Sequence, residues 1–217
     1  MAVETIEYRG VVDKSTWGDG PWQAEPDKKQ WSDPATGLPC LIVRGPVGAL
    51  CGYVGVSPDH PLYGKGHDDL DVEVHGGLTF ARGCEPEPTE QNWSEWRAGI
   101  LAGEDEAKKF PRGDAAQRLR DREKELESYE AFATWVRASA ICHLPAAGDP
   151  DHVWWFGFDC SHYMDLAPGE RATMREIGFD RSDRDEVYRD WAYVEREIAS
   201  LAKQLAVAPP LSTKEGE

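Results

Sequence analysis

Three kinds of hydrophobic pattern run along this chain, and each predicts a different element. Residues 153–158, VWWFGF, are apolar or glycine at every position. They lack the alternation of a half-exposed strand, so they predict an interior strand covered on both faces. Two shorter runs, 38–44 and 49–56, are separated by Gly45-Pro46-Val47-Gly48, the spacing and turn chemistry of a β-hairpin. Gly48, Gly52 and Gly55 mark either bulges or room for neighbouring rings. Residues 5–12 predict a first strand, and 141–144 a short one carrying His143.

The second pattern is strict alternation. In residues 70–81, LDVEVHGGLTFA, Leu70, Val72 and Val74 fall on one face while Asp71, Glu73 and His75 fall on the other. A strand is predicted, with its three ionisable groups about 7 Å apart, two strand rises. The third pattern is helical. Asn92 with Glu95 three residues on predicts a short helix bearing Trp93, Trp96 and Ile100 on one face. Asp114 with Gln117 starts a second, striped by Leu119, Leu126, Tyr129, Ala133 and Val136. Asp183 with Glu186 starts the last, where Val187, Trp191, Val194, Ile198, Leu201 and Leu205 step by four and three. Between them, 103–113 reads as a polar linker, 167–184 as an irregular flap, and 209–217 as a disordered tail after Pro209-Pro210. The expected fold is a single α+β domain over residues 1–208: a mixed, largely antiparallel sheet with two main helices packed on one face and long ordered loops.

Composition narrows the function classes. Forty Asp and Glu against 24 Lys and Arg give a net charge of −16, which opposes unassisted binding to nucleic acid or anionic membranes. No run approaches the 18 or so apolar residues of a membrane span, and residues 1–10 lack the pattern of a secretory leader. With five Cys and no C-x-x-C spacing, the expectation is reduced thiols in a cytoplasmic protein. Nine Trp exceed what the core needs; Trp17, Trp22 and Trp31, in the Gly- and Pro-rich stretch 17–37, either pin that loop or line a pocket mouth.

Candidate chemistry gathers around FDCSHYMD, which brings Asp159, Cys160, His162 and Asp165 just past the apolar strand, where a rigid scaffold presents groups to solvent. His75, Asp159 and His162 together form a His/His/carboxylate set of the kind that holds a divalent transition metal. In a metal-dependent hydrolase, Glu73 or Asp165 would serve as general base. Cys160 beside His162 or His143 offers a nucleophile instead. A third reading needs no chemistry: His75, Gly76, Gly77, Asp159, His162 and Asp165 form a ligand site in which backbone amides hold a phosphate and Trp faces stack a planar ring. The dinucleotide, P-loop and serine-hydrolase signatures are absent from the sequence.

TGLPCLIVRGPVGALCGYVGV, VHGGLTFA, WWFGFDCSHYMD and YRDWAYVEREIASLAKQLA together resemble an uncharacterised family of proteins from bacteriophages and prophage-bearing bacteria. The resemblance implies an accessory protein of a bacterial cytosol and carries no assigned activity. The leading expectation is therefore a small-molecule-binding protein taking a nucleotide-like ligand, such as a host-defence signal. The rivals are the metal-dependent hydrolase and an acidic inhibitor that binds a protein partner. Sequence alone leaves the oligomeric state open.

Overall fold

The computed structural model describes residues 5–84, 89–107, 127–142, 152–179 and 184–207, with the single positions 120 and 124. Six strands, β1 (Ile6–Tyr8), β2 (Lys28–Ser32), β3 (Pro39–Arg44), β4 (Leu50–Val56), β5 (Phe80–Gly83) and β6 (Trp154–Asp159), form one sheet in the order β1-β2-β3-β4-β6-β5. Every neighbouring pair is antiparallel. Among the described residues, four α-helices complete the α+β fold: α1 (Glu90–Ala107), α2 (Tyr129–Ser139), α3 (Pro168–Glu176) and α4 (Trp191–Ala206).

The β3–β4 hairpin turns through Gly48 at φ +92°, where Trp17 and Pro168 lie so close that a Cβ would overlap both. Gly52 is not a bulge. It pairs in register with Phe158, whose ring fills the space a side chain would take. The apolar run of β6 behaves as its pattern requires: Trp155, Phe156 and Phe158 are buried, because β4 and β5 pair on either side and both faces are covered. One face carries the larger core, where Cys40, Ile42, Leu50, Val54, Phe156 and Phe158 meet Val194, Ile198, Leu201 and Leu205 of α4. Leu41, Val43, Tyr53 and Trp155 form the core of the other, joined by Ile141 just after α2. Lys28 on that face donates to Ala140. The N-terminal loop is pinned by Trp17 and Trp22 packing with Leu166.

Several expectations are corrected. Residues 70–78 do not pair as a strand; only Phe80–Gly83 does. Leu70, Val72 and Val74 still face the main core, but the backbone bonds to side chains of α4 rather than to another strand. The last helix begins at Trp191, capped by Asp190, whose side chain accepts from Tyr193 N. Asp183, expected to start this helix, lies outside the described residues; Glu186 is not helical, and Val187 is instead bridged to Asp165 and exposed. The expected flap contains α3, started by Pro168, the residue type best suited to a first helical turn. Helix α1 begins at Glu90, with Thr89 and Asn92 exchanging the capping bonds, and runs through 103–107, part of the expected linker. Ser128 caps α2 inside what the sequence read as one stripe. Ile141 and Cys142 form a bend rather than a strand. Asp114, Leu119, Leu126, His143 and the 209–217 tail lie outside the described residues.

One disulfide joins Cys84 to Cys142, correcting the expectation of five reduced thiols. Its partners are 58 residues apart, so no spacing motif discloses them. Among the described residues, no helix is long and apolar enough to cross a membrane.

Candidate functional site

Asp165 is the centre of the best-formed polar cluster. Its side chain is 2 % exposed, and both oxygens are engaged. Oδ1 accepts from Arg189 Nε at 2.8 Å. Oδ2 lies 2.7 Å from His75 Nε2 and accepts from the His162 backbone N–H at 3.1 Å. Burial acts to raise this carboxyl, but the bonds from Arg189 and His75 outweigh it and hold the pKa below the ordinary carboxylate value. Asp165 is therefore an ionised acceptor. His75 then donates through Nε2–H and accepts at Nδ1 from the Tyr193 hydroxyl, 2.9 Å away.

The backbone explains how these groups converge. His75 ends the segment that α4 grips by side chain: Glu197 accepts from His75 N–H at 2.9 Å, while Gln204 accepts from Glu73 N–H and donates to Glu73 O. Past β6, a turn closes with Asp165 N–H donating to His162 O. Met164 in that turn has φ 73°, a left-handed conformation costly for a residue with a side chain. Val187 N–H bonds Met164 O and holds the turn from outside. Gly76, at φ +67°, lies under the His162 ring, where a Cβ would come 2.1 Å from Cε1. The bare glycine is what lets the two imidazoles stand edge to face with centroids 5.3 Å apart.

His75, His162 and Asp165 each offer a donor atom, and these atoms all lie within 4.8 Å of one another. A tetrahedral metal with bonds of 2.0–2.1 Å spaces its ligand atoms by about 3.3 Å. Asp165 Oδ2 lies 2.7 Å from His75 Nε2 and 3.6 Å from His162 Nδ1, bracketing that spacing. His162 Nδ1 is also shielded from solvent and has no hydrogen-bond partner, an arrangement that costs free energy unless something occupies the lone pair. The three residues fit a metal.

Of the six residues expected at the site, His75, Gly76, His162 and Asp165 come together. Asp159 does not. It points to the opposite face of the sheet, beside Trp155's side, and accepts from Thr79 Oγ1, Ser161 N and Ser161 Oγ. Burial acts to raise its pKa, and those bonds hold it below its ordinary value. It caps the turn, so the residues whose potential donor atoms come together are His75, His162 and Asp165 rather than His75, Asp159 and His162. Gly77 turns the chain at φ +85°, with its N–H spent on Val74 O; Glu73 is exposed. Cys160 is 2 % exposed in the main core, and burial together with Asp165 and Cys51 raises its thiol far above the thiolate range. It is no nucleophile. No family model, curated protein or solved structure matches this chain.

Sequence reasoning missed Arg189, Tyr193 and Glu197. Tyr193 and Glu197 sit four residues apart in the first turns of α4, a spacing that puts them on one helical side, and Arg189 lies just before the Asp190 cap; polar positions there ordinarily face water. Elsewhere, an open cleft of about 620 Å³ is lined by Val12, Trp17, Val47, Trp135 and Thr173 among others; it includes none of the six expected residues.

Proposed function

We propose that this protein is a metal-dependent hydrolase whose centre is His75, His162 and Asp165. One observation carries the reading: two imidazoles and an ionised carboxylate converge with His162 Nδ1 desolvated and unpaired. A divalent transition metal held there would supply Lewis-acid activation of water and of a substrate carbonyl or phosphoryl oxygen. The chain's own groups do the rest. With Nε2 given to a metal, the His75 proton would sit on Nδ1 and be donated to the Tyr193 hydroxyl, reversing the direction of that bond in the metal-free site. The bond is then the outer contact that orients a metal-binding imidazole. Arg189 fixes the carboxylate through Oδ1 and leaves Oδ2 for the centre. His162, the most open of the three at 35 % side-chain exposure, faces arriving solute.

The test is metal content after reconstitution with zinc, cobalt or manganese, read by elemental mass spectrometry beside circular dichroism. Wild type should take up one equivalent, and His162→Ala should lose it with its fold intact. Unchanged metal content in that variant sinks the assignment. The second reading, a cytoplasmic phage-type protein that sequesters a nucleotide-like ligand, is supported by the cleft that Trp135 lines together with Val12, Val47 and Thr173, a mixed apolar and polar wall of the kind that takes a small planar molecule. It predicts a ligand-dependent rise in melting temperature without any metal.

A further inference from the structure

Two guanidinium groups flank the His75–Asp165 cluster. Arg189 lies with Cζ 5.0 Å from the centroid of the Tyr193 ring, and Arg196 lies 5.7 Å from the same ring. Tyr193 in turn touches His75 through its hydroxyl, so both cations stand at the edge of the site. Arg189 is ion-paired with Asp165 without being saturated, and Arg196 lacks, among the described residues, the acidic partner that several cations elsewhere in this acidic chain have. Arg44 is paired with Glu25 and Asp27, Arg171 with Glu186, and Lys29 with Glu195. Arg189 meets Asp165 through Nε alone among the described residues, leaving its two terminal amino groups for another acceptor. Arg196 makes no ion pair among them. Its helical neighbours at three and four residues, Ala192, Tyr193, Ala199 and Ser200, include no acid, so the local pairing that usually occupies an exposed helical arginine is missing.

We infer that Arg189 and Arg196 form an oxyanion subsite beside the metal centre and that the substrate is a small phosphate-bearing molecule. The inference rests on the hydrolase reading. Two guanidiniums match a phosphate monoester, which carries close to two negative charges at neutral pH, whereas a carboxylate needs one. Guanidinium also presents its N–H groups in the planar fork that phosphate oxygens accept. In a protein with net charge −16, the general field repels such a substrate, so local cations are what would let it approach.

The experiment is calorimetric titration of the zinc-loaded protein with inorganic phosphate, with acetate in parallel. Phosphate should bind more tightly than acetate, and Arg196→Gln should weaken phosphate at least about tenfold, the scale of losing one charge-assisted bond. Zinc content should stay at the wild-type level in that variant, and Arg189→Lys should weaken phosphate too. Equal phosphate affinity in wild type and Arg196→Gln overturns the subsite while the metal centre stands, because phosphate then binds the metal alone. If the protein takes no metal, the hydrolase reading falls first, and the same titration of the metal-free protein decides the subsite. Arg196-dependent phosphate binding keeps it, and its absence overturns it.

Discussion

At the scale of single residues, the site depends on what is missing at Gly76. Both Gly76 and Gly77 sit in the left-handed region, at φ +67° and +85°, but only Gly76 has a neighbour where its Cβ would go, the His162 ring. Replacing either with Ala incurs the conformational cost of a left-handed L-residue, about 1–2 kcal/mol. Gly76→Ala must also displace His162, at a contact no rotamer of a single methyl can relieve. We expect Gly77→Ala to lower stability and keep metal affinity, and Gly76→Ala to lower stability further and abolish metal binding. Urea denaturation and metal titration of the pair measure both. Equal affinities in the two variants would show that His162 does not need its position over Gly76.

At the scale of elements, residues 70–78 show why alternation was legible and pairing was not. Leu70, Val72 and Val74 face the main core as the period of two requires, so the sequence identified the face. The partner was hidden because it is a helix: Gln204 bonds both backbone groups of Glu73, and Glu197 bonds the His75 amide, across 131 and 122 residues. Gln204→Ala should cost about 0.5–1.5 kcal/mol by giving the exposed Glu73 backbone groups over to water, and hydrogen exchange should speed up at the Glu73 amide while β3 and β4 stay protected. Uniform exchange across the sheet would mean that this segment is not held separately. The same logic sorts the rest. The hairpin and β6 were legible because local turn chemistry and burial on both faces decide them. The stripe of α4 was legible too, but its start was not, since Val187 is taken by the Asp165 bridge. At the site, His75, His162 and Asp165 were visible as residue types. That Asp159 falls on the opposite face followed only from its register opposite Cys51.

At the scale of the whole molecule, two polar networks meet in three consecutive residues. Arg44 is fully buried and all five of its N–H groups have acceptors: Nε to Asp27, Nη1 to Tyr188 and Gly48 O, Nη2 to Glu25 and Pro26 O. Glu25 also accepts from the Trp191 amide, and Lys14 pairs with Asp27. This network ties the N-terminal loop, the hairpin end and the entry to α4 together. Tyr188 belongs to it, and Arg189, the next residue, grips Asp165; Asp190 then caps α4. Arg44→Met leaves Glu25 without its cation and Asp27 with Lys14 alone, a loss of about 3–5 kcal/mol for a broken buried pair, and frees Tyr188. The consequence should travel one residue further. In the folded variant, metal affinity should fall because Arg189 no longer approaches Asp165 from a fixed backbone, although Arg44 touches none of the three donors. Chemical denaturation measures the first effect. Metal titration at a temperature where circular dichroism shows the variant fully folded measures the second. A destabilised variant with wild-type metal affinity would show the two networks to be energetically separate. Weakened affinity would make the Tyr188–Asp190 connector the path by which the N-terminal half of the chain sets the geometry of the site.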